Sequence, residues 1–318
     1  MFRKLLIAFL TLTLVLAGCA PARTSTPLAV STEISTADTS ITLTDGLGRL
    51  VTLPALARSV VSLAPANTEI LFAVGAGSQV VGRDTFSDYP EQAKTVQDIG
   101  GSMGKYNTEA IVALHPDLVL AQAGGFNPPE LIAALENLGL TVYALPNPAT
   151  LEEMYANLET VARLTGHTAE TTTLVDSLKS RVAALDGKIM PLNSAPTVYY
   201  ELDATDPTKP YTAGPGSFMD MLIRRAGGLN VGAALQGEWA QISLEELLVQ
   251  NPSIIILGDS AYGETPEKVA ARPGWDALTA VKNHQVFPFD DNLVSRPGPR
   301  WVDGLEALAK LLHPGVFK

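Results

Sequence analysis

The chain reads as an α/β protein of two similar lobes, each with a mainly parallel sheet, joined by one long connecting helix. Three observations carry that reading. Apolar residues from Leu151 to Met190 recur every three or four positions, as one buried face of a helix requires. On either side of this run, short β-like and helical segments alternate, the pattern of parallel sheets with crossover helices. One segment also recurs without gaps 136 positions later, Glu109 falling against Glu245, so the two halves look like copies of one plan.

Taken in order, Arg3 and Lys4 precede an apolar run from Leu5 to Ala17, which at about 13 residues is too short to span a bilayer. With the small residues before Cys19, residues 1–18 read as a secretory signal. Cys19 is the only cysteine, so no intramolecular disulfide can form. Residues 19–40 are almost wholly Ala, Pro, Ser, Thr and small apolar types, the composition of a flexible tether.

The full chain has 22 Lys and Arg against 33 Asp and Glu; losing Arg3 and Lys4 with the signal leaves 20 against 33, a net charge of −13. An acidic surface repels phosphate backbones, which excludes nucleic acid as a partner. A hydrophobic content of 46% with 17% charged residues fits a soluble, core-rich body, and the roughly 278 residues after the tether suit two medium domains.

The N-terminal lobe is expected over residues 41–166. It opens with a hairpin turning at Asp45-Gly46-Leu47-Gly48-Arg49, then a strand at Val60–Leu63 and a helix through Ile70 and Val74 that Asn67 or Thr68 can cap and Gly75 ends. A strand at Val80-Val81, a helix near Glu91, a buried strand at Leu118–Leu120, a helix from Pro128 to Leu138 and a strand from Thr141 to Leu145 follow. Thr165-Gly166 breaks the long amphipathic run, Thr168 is placed to cap the next helix, and the connecting helix is expected over 167–190, its main span about 22 residues and roughly 33 Å. The C-terminal lobe, 191–318, repeats the alternation. Its strands are Thr197–Leu202, Ile254–Leu257 and Gln285–Phe289, and its helices Ser217–Ala226, Leu244–Gln250 and Arg300–Leu312. A single helix offers few hinge torsions, so small lobe movement is expected.

In the repeated segment, Asn107 to Leu120 lies against Ser243 to Ile256. Each copy has a capping residue, a carboxylate at the second helical position, and a proline turning the chain into an apolar strand. A first-turn carboxylate complements the helix dipole by about 0.3 to 1 kcal/mol, which is a sufficient reason for Glu109 and Glu245. If the halves are related by a pseudo-twofold, the two glutamates also present matched charges suited to a symmetric basic partner.

Val61–Glu69, Ser87-Asp88-Tyr89-Pro90, Asn107–Ile111, Pro116–Val119, Gly227–Asn230 and Arg296-Pro297-Gly298-Pro299-Arg300, in this order and spacing, resemble the cobalamin and iron-chelate binding proteins of ABC importers, the class III periplasmic binding proteins. The resemblance covers nearly all of the mature length. It implies a ligand cleft between the lobes and docking of Glu109 and Glu245 into arginines of a permease dimer. Leu16-Ala17-Gly18-Cys19 resembles the lipobox of bacterial lipoproteins, which implies cleavage before Cys19, lipidation of its sulfur and anchoring to the membrane on the extracytoplasmic side. A monomer with no resident cofactor is expected.

Ligands of parallel sheets collect at the strands' carboxyl ends, and the loops there hold Arg83, Phe86, Tyr89, Met103, Gln122, Tyr211, Trp239, Arg296 and Arg300. Aromatic faces stack on a planar or macrocyclic ligand, and arginines pair with its carboxylates or phosphate. The resemblance places Trp239 and Phe86 where family members line the cobalamin pocket, and Arg296 where a cationic contact can lie. The chain lacks the further tryptophans that cobalamin binders often carry near Met103 and Gln122. Tyr106 and Met103 are near the loop where haem binders place an axial ligand. Corrinoid, siderophore and haem all stay open. Enzyme motifs are missing: there is no nucleophile elbow, no phosphate-binding loop and no paired-histidine zinc helix, and the four histidines, His115, His167, His284 and His313, do not make a metal set by spacing. Capture of a metal ion such as zinc or manganese, by ligands converging from distant loops, and an envelope scaffold without a small ligand are the remaining alternatives.

Overall fold

A computed structural model describes residues 39–317 other than Met103 and Phe126. The signal, Cys19, nearly all of the tether and Met103 therefore lie outside the described residues. The antiparallel hairpin of β1 (Ile41–Thr44) and β2 (Leu50–Leu53) forms as expected, its turn held by Asp45, which accepts from the N–H groups of Leu47 and Arg49 at 3.0 and 2.9 Å. The lobe then runs β3 (Val60–Ser62), α1 (Pro65–Ala73), β4 (Val80–Arg83), β5 (Gln97–Asp98), a small hairpin of β6 (Gly100–Ser102) and β7 (Lys105–Tyr106), α2 (Thr108–Ala113), β8 (Leu118–Gln122), α3 (Pro129–Asn137) and β9 (Val142–Leu145). Its sheet has the order β5-β4-β3-β8-β9, all parallel. Leu118 to Ala121 is a continuous buried run because helices cover both faces of such a sheet.

Two local expectations in the first sheet's connections are corrected, as is a third at Thr168. Helix α1 starts at Pro65, whose fixed φ suits a first helical position, so Asn67 and Thr68 are inside it and not caps. They are buried: Asn67 donates to Leu120 O (3.1 Å), and the Thr68 hydroxyl bonds Ser62 and Ser87. The segment near Glu91 is a 3₁₀ turn, Glu91–Thr95.

Helix α4 (Leu151–Thr165) is capped by Thr150, whose hydroxyl accepts from Glu153 N at 3.2 Å, and ends at Gly166 with φ +88°. There a left-handed conformation is needed, which glycine adopts without strain. Helix α5 (Thr168–Ile189) follows after two residues, Gly166 and His167. Thr168 is already its first helical residue and not its cap, because Gly166 and His167 both donate to Ala162 O and turn the chain straight into α5. The stripe Val175, Leu178, Val182, Leu185 and Ile189 is buried. It joins a hydrophobic core that runs unbroken from Val60 and Leu71 through α5 to Leu305 and Leu312.

The second lobe comprises β10 (Thr197–Asp203), β11 (Tyr211–Ala213), α6 (Phe218–Arg225), β12 (Leu229–Asn230), β13 (Trp239–Gln241), α7 (Leu244–Gln250), β14 (Ile254–Leu257), α8 (Pro266–Ala270), α9 (Thr279–Lys282), β15 (Val286–Pro288), α10 (Asn292–Ser295) and α11 (Trp301–Leu312). The parallel set β12-β10-β14-β15 repeats β4-β3-β8-β9 of the first lobe. In the repeated segment, Asn107 and Ser243 each cap a helix by accepting from the N–H three residues on, at 3.0 and 3.1 Å. His115 and Asn251 then both take left-handed backbone, φ +45° and +42°. The second lobe adds β11 and β13, antiparallel strands on the outer side of β10.

Helix α5 is pinned to the second lobe by ion pairs. Arg181 reaches Asp303 (2.6 Å) and Glu306 (2.9 Å) on α11, and Asp186 pairs with Arg225 (2.8 Å) on α6.

Candidate ligand-binding site

The loop after β4 is built on a buried polar network. Asp84 accepts from Phe86 N–H at 2.9 Å and from the Ser87 hydroxyl; that hydroxyl also bonds Thr68 (2.7 Å), which donates to Ser62 Oγ (2.8 Å). Burial pushes the Asp84 carboxyl up from the usual carboxylate range. With its backbone held from below, the loop presents Phe86 at 54% exposure and leaves Tyr89 half-exposed. Both rings thus keep a face in contact with solvent.

In the second lobe, Trp239 and Tyr211 stand on one face of the β11–β13 pair, Trp239 at 44% exposure. Trp239 meets Phe218 edge-on with centroids 5.2 Å apart, and Phe218 stacks on Trp301, also at 5.2 Å. Trp301 begins α11, directly after Arg300, so this aromatic row leads to the junction between the lobes.

The junction is electrostatic. Glu69 of α1, only 2% exposed, accepts from Arg300 Nε (2.8 Å) and Nη2 (2.5 Å) and from Arg296 Nη1 (3.2 Å). Arg296 also reaches Asp88 (2.6 Å) and Phe86 O (3.3 Å), and the Arg300 guanidinium lies 4.0 Å from the centre of the Tyr89 ring. Beside this junction is a cavity of about 640 Å³, walled by Phe72 and Tyr89, by Leu174 and Leu178 of α5, and by Arg300.

The structure therefore brings Phe86, Tyr89, Arg296 and Arg300 together, and joins Trp239 to them through Phe218 and Trp301. Three residues are directed into their own lobe instead. Arg83 donates to Asp84 O, Thr85 O and Asp98, bracing its own loop. Gln122 donates to Asn147 (2.9 Å). Tyr106 donates to Leu63 O and accepts from Asn127, both at 2.7 Å, and burial raises its phenol to about 12. Glu109 and Glu245 are exposed at matching positions of α2 and α7, with no ion pair among the described residues. Glu69 is the site residue that sequence reasoning missed. A glutamate beside Ile70 and Leu71 in an apolar helix is a signal, since a buried carboxylate demands a partner. No group of three or more His, Cys, Asp or Glu among the described residues could hold a metal ion, and no described helix is long and apolar enough to cross a membrane.

Two βα lobes of repeated topology, bridged by one long helix and facing each other across rings and arginines, define a class III periplasmic binding protein. Residues 60–293 match the family described as periplasmic binding protein, and the chain belongs to it: it is a substrate-binding protein of the ABC-importer type. It is 31% identical over 279 residues to an uncharacterized ABC transporter substrate-binding lipoprotein, YvrC, of Bacillus subtilis, covering 87% of each chain. It is 30% identical over 265 residues to a vitamin B12-binding protein of Vibrio cholerae, covering 83% of this chain and 92% of that one. Among solved structures, a periplasmic heme-binding protein, RhuT, from Roseiflexus sp. RS-1 superposes with a TM-score of 0.72 at 26% identity, over 82% of this chain and 99% of that chain.

Proposed function

We propose that the protein captures a cobalamin, a related corrinoid or a ferric siderophore between its lobes and delivers it to an ABC permease dimer. In this reading it acts as a monomer, tethered on the extracytoplasmic side by lipid on Cys19. The observation that carries the reading is the set of half-exposed rings on both lobes, Phe86 and Tyr89 on one and Trp239 and Tyr211 on the other, flanking an arginine-bridged junction. Rings so placed stack on the faces of a macrocyclic or aryl chelate. Arg296 can exchange its contact with Asp88 for a ligand group, because the Asp88 carboxylate is more than half exposed and is solvated by water when released. The vitamin B12-binding relative supports the corrinoid form of the reading. Haem is less favoured, since Tyr106 donates its proton to Leu63 O and is turned away from an axial role.

Glu109 and Glu245, exposed at matching first turns, are the residues assigned to permease docking. The division into 41–166, 167–190 and 191–318 gives each lobe one of them and leaves the helix as connector. The test of ligand identity is calorimetry and tryptophan quenching against cobalamin, cobinamide, haemin and several ferric siderophores. Saturable one-to-one binding of a corrinoid or siderophore is expected; haemin alone binding, or no binding, contradicts the reading.

A further inference from the structure

The loop after β4, which carries Phe86 and Tyr89, is held from two sides. Its first half belongs to its own lobe, where Asp84 accepts from Phe86 N–H at 2.9 Å and from the Ser87 hydroxyl. Its second half is held by the other lobe. Arg296 donates to Phe86 O (3.3 Å) and to Asp88 (2.6 Å), and the Arg300 guanidinium lies over the Tyr89 ring, 4.0 Å from its centre. These contacts all come from the short link between α10 and α11. Rings that belong to one lobe therefore take their position from the other.

Two guanidinium groups on that link repel each other, and with side chains 13% and 11% exposed they are screened little by water. One carboxylate holds them together. Glu69 takes Arg300 in a fork, through Nε (2.8 Å) and Nη2 (2.5 Å), and also accepts from Arg296 Nη1 (3.2 Å). Forked, charge-assisted bonds fix direction as well as distance. Arg296 has a second acid in Asp88, whereas Glu69 is the one acid paired with Arg300 among the described residues. Glu69 is itself 2% exposed, which leaves almost no surface for a ligand to touch.

We propose that Glu69 is a positioning residue of the ligand site: through Arg296 and Arg300 it makes the ring-bearing loop of the first lobe part of a surface set by the second. The coupling stands on the contacts themselves, and its effect on affinity rests on the function proposed above. A ligand group that takes the place of Asp88 on Arg296 meets a guanidinium still anchored from behind by Glu69, so little side-chain freedom is lost on binding. Without the Glu69 charge, Asp88 is the one acid left to Arg296, and a ligand group must compete with it. Arg300 then has no acid, and the stretch from Phe86 to Tyr89 depends on its own lobe.

The test compares the whole mature chain with Glu69→Gln, which keeps the shape and removes the charge, and with Arg300→Lys, which keeps the charge and removes the fork. Hydrogen exchange read by mass spectrometry reports the coupling without ligand. Peptides spanning 84–92 should exchange about tenfold faster in both variants, while those spanning 118–122, inside the sheet, hold the wild-type rate. Calorimetry and stopped-flow with cyanocobalamin and with ferrichrome report the consequence. For the chelate that binds, affinity should fall about fivefold to tenfold in Glu69→Gln, through faster dissociation. In a Phe86→Ala background the same change should cost only about twofold, because one of the rings that Glu69 positions is gone. A carboxylate that served stability alone would leave both readouts at wild-type values in the folded variants. Exchange unchanged at 84–92, exchange raised equally in every peptide, or unchanged affinity in both variants overturns the positioning role; if Glu69→Gln does not fold, Arg300→Lys decides by the same readings. Faster exchange confined to 84–92 with neither chelate bound supports the positioning and counts against the function. A chelate bound equally by all three chains, with exchange unaltered, does the reverse.

Discussion

In the first lobe, α1 sends its buried acid across the molecule; in the second, the corresponding helix α6 keeps its own at home. Glu69 is held by Arg296 and Arg300 of the other lobe, whereas Asp220 accepts from Asn230 (3.0 Å) and pairs with Arg224 (3.2 Å), both in its own lobe. The lobes share one βα plan, yet they part in this way at these two acids. Where they face outward they match closely: Asn107 and Ser243 cap equivalent helices, and Glu109 and Glu245 stand at equivalent first turns. The difference separates two duties. The repeated surface suits a partner that is itself twofold, and the divergent junction, with β11 and β13 inserted on one side only, suits a ligand that is not.

The largest test of that contrast removes each buried acid. Glu69→Ala removes the ion pair of Arg300 and leaves Arg296 with Asp88, and should cost about 3–5 kcal/mol, read by denaturant unfolding. Asp220→Ala should cost less, about 1–3 kcal/mol, because it strands only a neutral amide and the exposed Arg224. Equal losses would erase the asymmetry between the lobes.

A smaller effect is expected on binding. Trp239→Ala should weaken calorimetric affinity for the chelate about tenfold or more, and Phe86→Ala less, because Trp239 offers the larger ring and is braced by Phe218. An unchanged affinity in Trp239→Ala would take the inserted strands out of the site.

The pH dependence of stability has a definite sign. With its carboxyl held at about 7 in the fold, Asp259 keeps its proton more readily folded than unfolded, so its contribution is full below the ordinary carboxylate range and is lost as pH rises through 7. Unfolding free energies measured between pH 4 and pH 8 should fall across this window, and Asp259→Asn should flatten the fall. The first lobe has no counterpart at the equivalent strand end, where Ala123 follows β8.

The smallest effects concern the caps. Asn107→Ala and Ser243→Ala should each cost about 1 kcal/mol, and by similar amounts, since each loses one bond to the N–H three residues on. Markedly unequal losses would mean that the repeat is one of sequence more than of structure.

The sequence carried the plan and hid the junction. The long helices were legible because Leu158, Val161 and Leu164, then Val175, Leu178 and Val182, keep helical period, and Gly166 marks the break with its left-handed backbone. The repeat was legible because caps, prolines and apolar strands are local features. Strands β11 and β13 were not, being three residues each and set by pairing, β11 with β10 and β13 with β11, rather than by their own pattern. The lock on Glu69 was hidden because its partners are 227 and 231 residues away, and no local signal says which arginine a buried glutamate meets. For the same reason Arg296 and Arg300 read as free cations for a ligand, although in the fold both hold the lobes together.

The account's central claim, that the repeated outer surface docks and the divergent junction binds, is tested most directly by measuring ligand affinity and cellular uptake side by side in Glu109→Ala with Glu245→Ala. Both glutamates are exposed and unpaired among the described residues, so the double variant should keep its fold and bind the ligand within about twofold of wild type, while uptake falls at least tenfold. Uptake at the wild-type rate, or a matching loss of ligand affinity, would contradict it.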